Sequence, residues 1–135
     1  LSIAMAKLFP SRIIAVDNDI HSVQMTRRNI VVNKVVQYVK VYNSTGLIGN
    51  HLNSRAKYDL IVANILFKPL KLLMRSFMRN LSKTGFLILS GLNIKQTRQL
   101  KEISKQFGLK VIDERKEADW GSLLLKRTVV KDQSN

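Results

Sequence analysis

Apolar and polar positions along the chain change period several times, and each change marks an element. Residues 1–8 (LSIAMAKL) are apolar almost all round, with Ser2 and Lys7 the polar exceptions, so they predict a buried helix that Pro10 closes. Residues 12–17 (RIIAVD) are a β-branched run of strand length, and Asp19 is placed to cap a helix over residues 20–33. Residues 38–42 alternate and predict a second strand. Residues 43–57 are rich in Asn, Ser and Gly and predict irregular structure; residues 58–63 (YDLIVA) predict a third strand. The strongest periodicity follows. Leu70, Leu73, Met74, Phe77, Met78 and Leu81 share one helical face opposite Lys71, Arg75 and Arg79, and Pro69 suits the first turn. SKTG at 82–85 predicts a break, residues 86–90 a strand, and residues 94–107 a helix ending with Gly108 at C′. Residues 109–114 and 122–126 predict a hairpin around 118–121.

Strand and helix alternate, which predicts an α/β fold: a doubly wound, mostly parallel sheet covered on both faces, with a C-terminal antiparallel hairpin. No repeat or low-complexity stretch divides the 135 residues, so the expectation is one domain over residues 1–127 and a disordered tail over 128–135.

Composition narrows the chemistry. The absence of cysteine excludes disulfides and thiolate metal sites, and the two histidines, His21 and His51, stand far apart, so no metal site is expected. The first ten residues are too short to span a bilayer and lack a basic leader, so neither membrane nor export is expected, and the location expected is cytoplasmic. The net charge of +14 comes from lysines and arginines scattered singly or in pairs such as Arg27-Arg28. Two readings of it stand: a solvated surface, or attraction to an anionic partner such as RNA or the ribosome.

In open sheets of this kind, ligands bind at the carboxyl ends of the strands, near the reversal of strand order. Asp17 follows RIIAV and Asn64 follows LIVA, both at such ends. A carboxylate at the first position has two acceptor oxygens suited to the vicinal hydroxyls of a ribose; its bland alternative is a helix cap, a task for which Asp19 is better placed. An amide at the second either turns the chain into the next helix or stands where cofactor and substrate meet, accepting from an amine and donating to a carbonyl.

LSIAMAKL, IIAVDNDIHSV, YDLIVANIL, LSKTGFLILSG and ADWGSLLLKR together resemble, in order and spacing, the Rossmann-like methyltransferases that use S-adenosyl-L-methionine, and within them the catalytic domain of the ribosomal protein L11 methyltransferase family. The resemblance covers nearly the whole chain. It implies that Asp17 binds the cofactor ribose, that Asn64 lies at the methyl-transfer site and also contacts the cofactor, that Ile65 and Leu66 continue the site through their backbone, and that the acceptor is an amino group of a large-subunit ribosomal protein.

The chain also departs from the pattern. Nucleic-acid amino-methyltransferases typically carry Asn-Pro-Pro-aromatic where this chain has Asn64-Ile65-Leu66-Phe67, and the missing prolines favour a protein acceptor. Phe67 stands where the family usually has a small residue, so it packs in the core or lid or stacks on a flat substrate group. Trp120 anchors the hairpin or borders the pocket. The resemblance further implies a first strand and a glycine-rich cofactor loop before the helix that starts the chain, and a strand order of 3-2-1-4-5-7-6. Neither precedes Leu1, and the first glycine is Gly46. The expectation is therefore a C-terminal portion of a longer enzyme, inactive by itself. Its rivals are an RNA or DNA methyltransferase and a non-catalytic basic module of the same fold.

Overall fold

The computed structural model describes residues 1–47 and 57–128. His51, most of the irregular stretch expected at 43–57, and residues 129–135 of the expected tail lie outside the described residues. The chain falls into two compact units, Leu1–Asn53 and Ser54–Asn135.

The first unit is built from α1 (Ser2–Leu8), β1 (Ile13–Asp17), α2 (Ile20–Val32) and β2 (Val39–Asn43). β1 and β2 pair in parallel, Ile13 opposite Val39 through Asp17 opposite Asn43, with α2 as the crossover. Val23, fully buried, and Ile30 face inward from α2, and a small core joins Ile30 to Ala6, Ile13, Val35 and Val39. Its residues are short or β-branched, which suits a thin layer between one helix and a two-stranded sheet. The sequence predicts a buried first helix, and here the structure differs. Only Ala6 of α1 is buried, Ile3 and Met5 are partly covered, and Leu1 and Leu8 stay about 70% exposed. Two strands offer too little surface to cover more than one side of a helix.

The second unit holds β3 (Tyr58–Asn64), α3 (Phe67–Asn80), β4 (Leu81–Asn93), α4 (Ile94–Gln106), β5 (Leu109–Glu117) and β6 (Trp120–Arg127). Its sheet runs β3-β4-β6-β5, with β3 and β4 parallel and the last two pairings antiparallel. The orders of the two sheets match the two flanks of 3-2-1-4-5-7-6. The core is leucine-rich. Leu70 and Met74 from α3, Leu100 from α4, and Leu87, Leu89, Leu92, Leu123 and Leu125 from the sheet are wholly inaccessible. The period of α3 is realised as read: Leu70, Met74 and Phe77 are buried, and Lys71, Arg75 and Arg79 are exposed. Pro69 takes the third helical position, where its missing N–H leaves no hydrogen bond unmade.

The SKTG break is absorbed rather than realised. β4 runs through it, with Leu81 opposite Tyr58 and Phe86 opposite Leu60, so residues 82–85 bulge against a single residue of β3. Gly85 makes this possible, because a Cβ there would lie 2.8 Å from the Leu81 side chain. α4 starts with a capping box, Asn93 Oδ1 accepting from the Gln96 N–H at 2.8 Å and Gln96 Oε1 from the Asn93 N–H at 3.0 Å. It ends as expected, with Gly108 at φ +68° donating to the Lys105 carbonyl. The hairpin strands extend beyond their expected limits and leave the turn to Ala118 and Asp119, Ala118 taking φ +49°. Thr128 donates from both N and Oγ1 to the Gly108 carbonyl, at 2.9 and 2.6 Å. Among the described residues, no helix is long and apolar enough to cross a membrane.

Candidate functional site

Asp17 ends β1 and Asn64 ends β3, each exposed at a carboxyl strand end as the sequence predicts. They lie in different units, Asp17 in Leu1–Asn53 and Asn64 in Ser54–Asn135.

Around Asp17 the chain turns sharply. Asp17 Oδ1 accepts from the Asp19 N–H at 2.9 Å, while the Asp17 carbonyl accepts from Asn43 Nδ2 at 3.1 Å and the Ser44 N–H at 3.0 Å. Asp19 performs the helix cap, accepting from the N–H groups of His21 and Ser22 at 3.1 and 2.9 Å and from Ser22 Oγ at 2.7 Å. The Ser22 hydroxyl bond, then the backbone bonds, hold the Asp19 carboxyl below its ordinary range. With the cap assigned to Asp19, Asp17 Oδ2 makes no hydrogen bond among the described residues. Asp17 lines a shallow concavity of about 500 Å³ with Asp19, His21, Ser22, Met25 and Thr26.

Asn64 is held differently. Its side chain makes no hydrogen bond among the described residues, and its Oδ1 stands close against the backbone of Gly91. A Cβ on Gly91 would lie 2.5 Å from Asn64 Oδ1 and 3.4 Å from the Ile65 carbonyl, and Gly91 has φ +79°. Glycine is required there twice over, for space and for backbone. The cause is a bulge in β4. Leu89 pairs with Leu123 but Leu92 pairs with Gly121, so three steps of β4 match two of β6, and Ser90 and Gly91 are released from that pairing toward Asn64. Burial shows the same phase slip, alternating at 85, 87 and 89 and resuming at 92, whereas the apolar run at 86–89 carries no alternation in the sequence.

Asn64, Ile65 and Leu66 line a concavity of about 630 Å³ together with Ser90, Gly91, Arg115, Glu117, Trp120, Gly121 and Ser122. The sequence reading missed Ser90, Gly91, Arg115, Glu117 and Ser122, because only strand pairing brings them to the end of β3. Trp120 is 60% exposed, so it borders the concavity instead of anchoring the hairpin by burial. Gly121 beside it gives way to Thr97, whose Oγ1 would lie 2.4 Å from a Cβ at that position. Arg115 Nε donates to Asp113 Oδ2 at 2.9 Å, which lowers the Asp113 carboxyl and raises the guanidinium. Glu117 makes no ion pair among the described residues, which leaves one uncompensated carboxylate at the rim. Phe67 is outside this lining. It is half-buried at the start of α3, with the Lys71 ammonium 4.8 Å from its ring centre.

Comparison with known proteins identifies the family of the chain. A family model described as ribosomal protein L11 methyltransferase (PrmA) matches residues 1–128. A ribosomal protein L11 methyltransferase of Chelativorans sp. (strain BNC1) is 33% identical over 127 residues, covering 94% of this chain and 44% of that protein. That of Geotalea uraniireducens (strain Rf4) is 33% identical over 123 residues, covering 91% and 38%. The crystal structure of ribosomal protein L11 methylase from Lactobacillus delbrueckii subsp. bulgaricus is similar in fold, with a TM-score of 0.84 at 24% identity, over 94% of this chain and 63% of that one. The chain thus spans less than half the length of the two curated relatives. With the family model matched over residues 1–128, the chain belongs to the ribosomal protein L11 methyltransferase family.

Proposed function

We propose that this chain supplies the acceptor side and the ribose contact of an enzyme that transfers a methyl group from S-adenosyl-L-methionine to amino groups of ribosomal protein L11. The observation that carries the reading is the exposed Asn64 amide, without a side-chain hydrogen bond among the described residues and backed by Gly91 in a concavity whose rim holds Glu117 and Trp120.

The residues fit the cofactor. Asp17 has one carboxylate oxygen turned to its own loop and one without a hydrogen bond among the described residues, an acceptor arrangement for a ribose diol beside the Ser22 and Thr26 hydroxyls. When bound, S-adenosyl-L-methionine supplies an electrophilic methyl on its sulfonium. The chain's own residues handle the amine. A lysine amine arrives protonated and would pass that proton to solvent water at the open rim before it attacks; its lone pair would then form the new N–C bond as the methyl–sulfur bond breaks, that electron pair leaving on the neutral thioether. Glu117 attracts the ammonium, the Trp120 ring offers it an aromatic face, and the Asn64 carbonyl oxygen accepts a hydrogen bond from the neutral amine and aims its lone pair. Asn64 is no strong base. Its contribution is orientation, which can supply much of the rate in a displacement between two held groups.

A chimera tests this, with the 127 matched residues of the Chelativorans relative replaced by those of this chain. Methyl transfer to L11 and cofactor affinity are measured with labelled S-adenosyl-L-methionine. Asp17→Ala is expected to raise the cofactor Kd at least about tenfold, the loss of a charged hydrogen-bond acceptor, and Asn64→Ala to lower kcat about a hundredfold with Kd little changed. Equal or negligible effects of the two substitutions would remove both assignments.

A further inference from the structure

We propose that the outer face of α3 is a docking surface for RNA, which it holds through the phosphodiester backbone. Lys68, Lys71, Arg75 and Arg79 follow one another at intervals of three, four and four residues and so form a single row about 16 Å long on the side of the helix away from its core. All four are exposed, and among the described residues none makes an ion pair. The helix sequence, FKPLKLLMRSFMRN, contains no acidic residue at all.

A solvated helix face normally mixes both signs of charge, because opposite charges one turn apart support the helix and like charges weaken it. Here Lys71 and Arg75, then Arg75 and Arg79, are like charges at i and i+4. Lys68 stands in the first turn, where the helix dipole disfavours a cation. Three of these placements therefore work against the fold, while burial of Leu70, Met74 and Phe77 on the opposite face holds the helix in place. An external polyanion gives the row a favourable role. On α3 the exposed large apolar residue is Leu72, 83% accessible, so the face offers charge rather than an apolar patch. Such a surface suits a partner that carries one negative charge per repeat along its backbone and needs no pocket, and the +14 net charge draws that partner in. The surface is independent of the methyl-transfer reading.

The test is fluorescence anisotropy of a labelled oligouridine of about twenty nucleotides titrated with the 135-residue chain between 50 and 200 mM KCl. Four phosphate contacts on a single strand predict a log–log salt slope of about −3, a loss of roughly fiftyfold in affinity across that range. Arg75→Glu with Arg79→Glu is expected to weaken binding more than about tenfold at 50 mM KCl. Lys95→Glu with Arg98→Glu, the same charge change on exposed positions of α4, is expected to change it less than about threefold. The first pair faces solvent, and the carboxylate at position 75 stands one turn from Lys71 while the one at position 79 makes a like-charge pair with it; circular dichroism checks that the helix is kept. The neutral pair Arg75→Gln with Arg79→Gln reduces the slope by about 1.4 and serves if the charge reversal perturbs folding. Equal weakening by the α3 and α4 reversals would reduce the effect to diffuse charge and overturn the proposal. So would absence of RNA binding, or α3-dependent binding of polyglutamate or phosphatidylserine vesicles in preference to RNA.

Discussion

Asp17 and Asn64 both end a parallel strand with a polar side chain left in water, yet different forces hold them. Asp17 is positioned by a tight turn and by one strand pairing: the Asp19 N–H donates to its carboxylate, and Asn43 and Ser44, at the end of the strand paired with β1 among the described residues, donate to its carbonyl. Asn64 is positioned by contact with Gly91, which sits there only because β4 bulges between two stretches of leucine pairing with β6. One end depends on local turn chemistry over a thin core of Val and Ile. The other depends on long-range register locked by a dense leucine core, so distant core substitutions should reach Asn64 and spare Asp17.

The largest effect expected is from Leu89→Ala, which empties a wholly buried site opposite Ala63 and Leu123, next to the bulge. It should cost about 2–5 kcal/mol in denaturant unfolding and disturb the amide signals of Asn64, with those of Asp17 unchanged. Unchanged Asn64 signals would break the comparison. Gly91→Ala comes next. A side chain at φ +79° costs about 1–2 kcal/mol, and expelling Asn64 Oδ1 from 2.5 Å adds to it. In an Asn64→Ala background only the backbone part should remain, so a double-mutant cycle by denaturant unfolding measures the contact itself; strict additivity would mean that Gly91 does not position the amide. In the thin core Ile30→Val should cost about 0.5–1.5 kcal/mol, less than Leu89→Ala, and leave the Asn64 signals in place.

The smallest effect expected is from Asp19→Ala, and it depends on pH. Hydrogen bonds from Ser22 and His21 hold the folded Asp19 carboxyl below its ordinary value. Its stabilisation is therefore full above the pKa of the unfolded chain and fades as pH falls through the lower folded value. Thermal unfolding at pH 7 should show a reduced midpoint for Asp19→Ala, and the difference should shrink steadily below about pH 4, where an unfolded Asp protonates. A difference that grows on acidification would place the cap elsewhere.

Much of the fold was legible because the signals were local. The face of α3 needs only the spacing of Leu70, Met74 and Phe77; the end of α4 needs only Gly108; the strands at 12–17 and 58–63 needed only β-branched runs. Asp17 and Asn64 were legible as polar residues closing such runs. What was not legible depended on pairing. The 82–85 break reads as a stop in sequence, yet the strand continues through it because Tyr58 and Leu60 pair on either side. The exposure of Leu1 and Leu8 reflects the area of the sheet beside α1, a quantity no eight-residue pattern contains.

The sequence by itself determined where most helices and strands form, which face of α3 turns inward, and that Asp17 and Asn64 stand at strand ends, since periodicity, capping and turn chemistry act over a few residues. Only the tertiary structure decided that Gly91 meets Asn64, that Glu117 and Trp120 border the same concavity, and that Phe67 does not line it. Those outcomes rest on strand register, where one extra residue in β4 redirects the backbone, and register is set by partners far away in the chain.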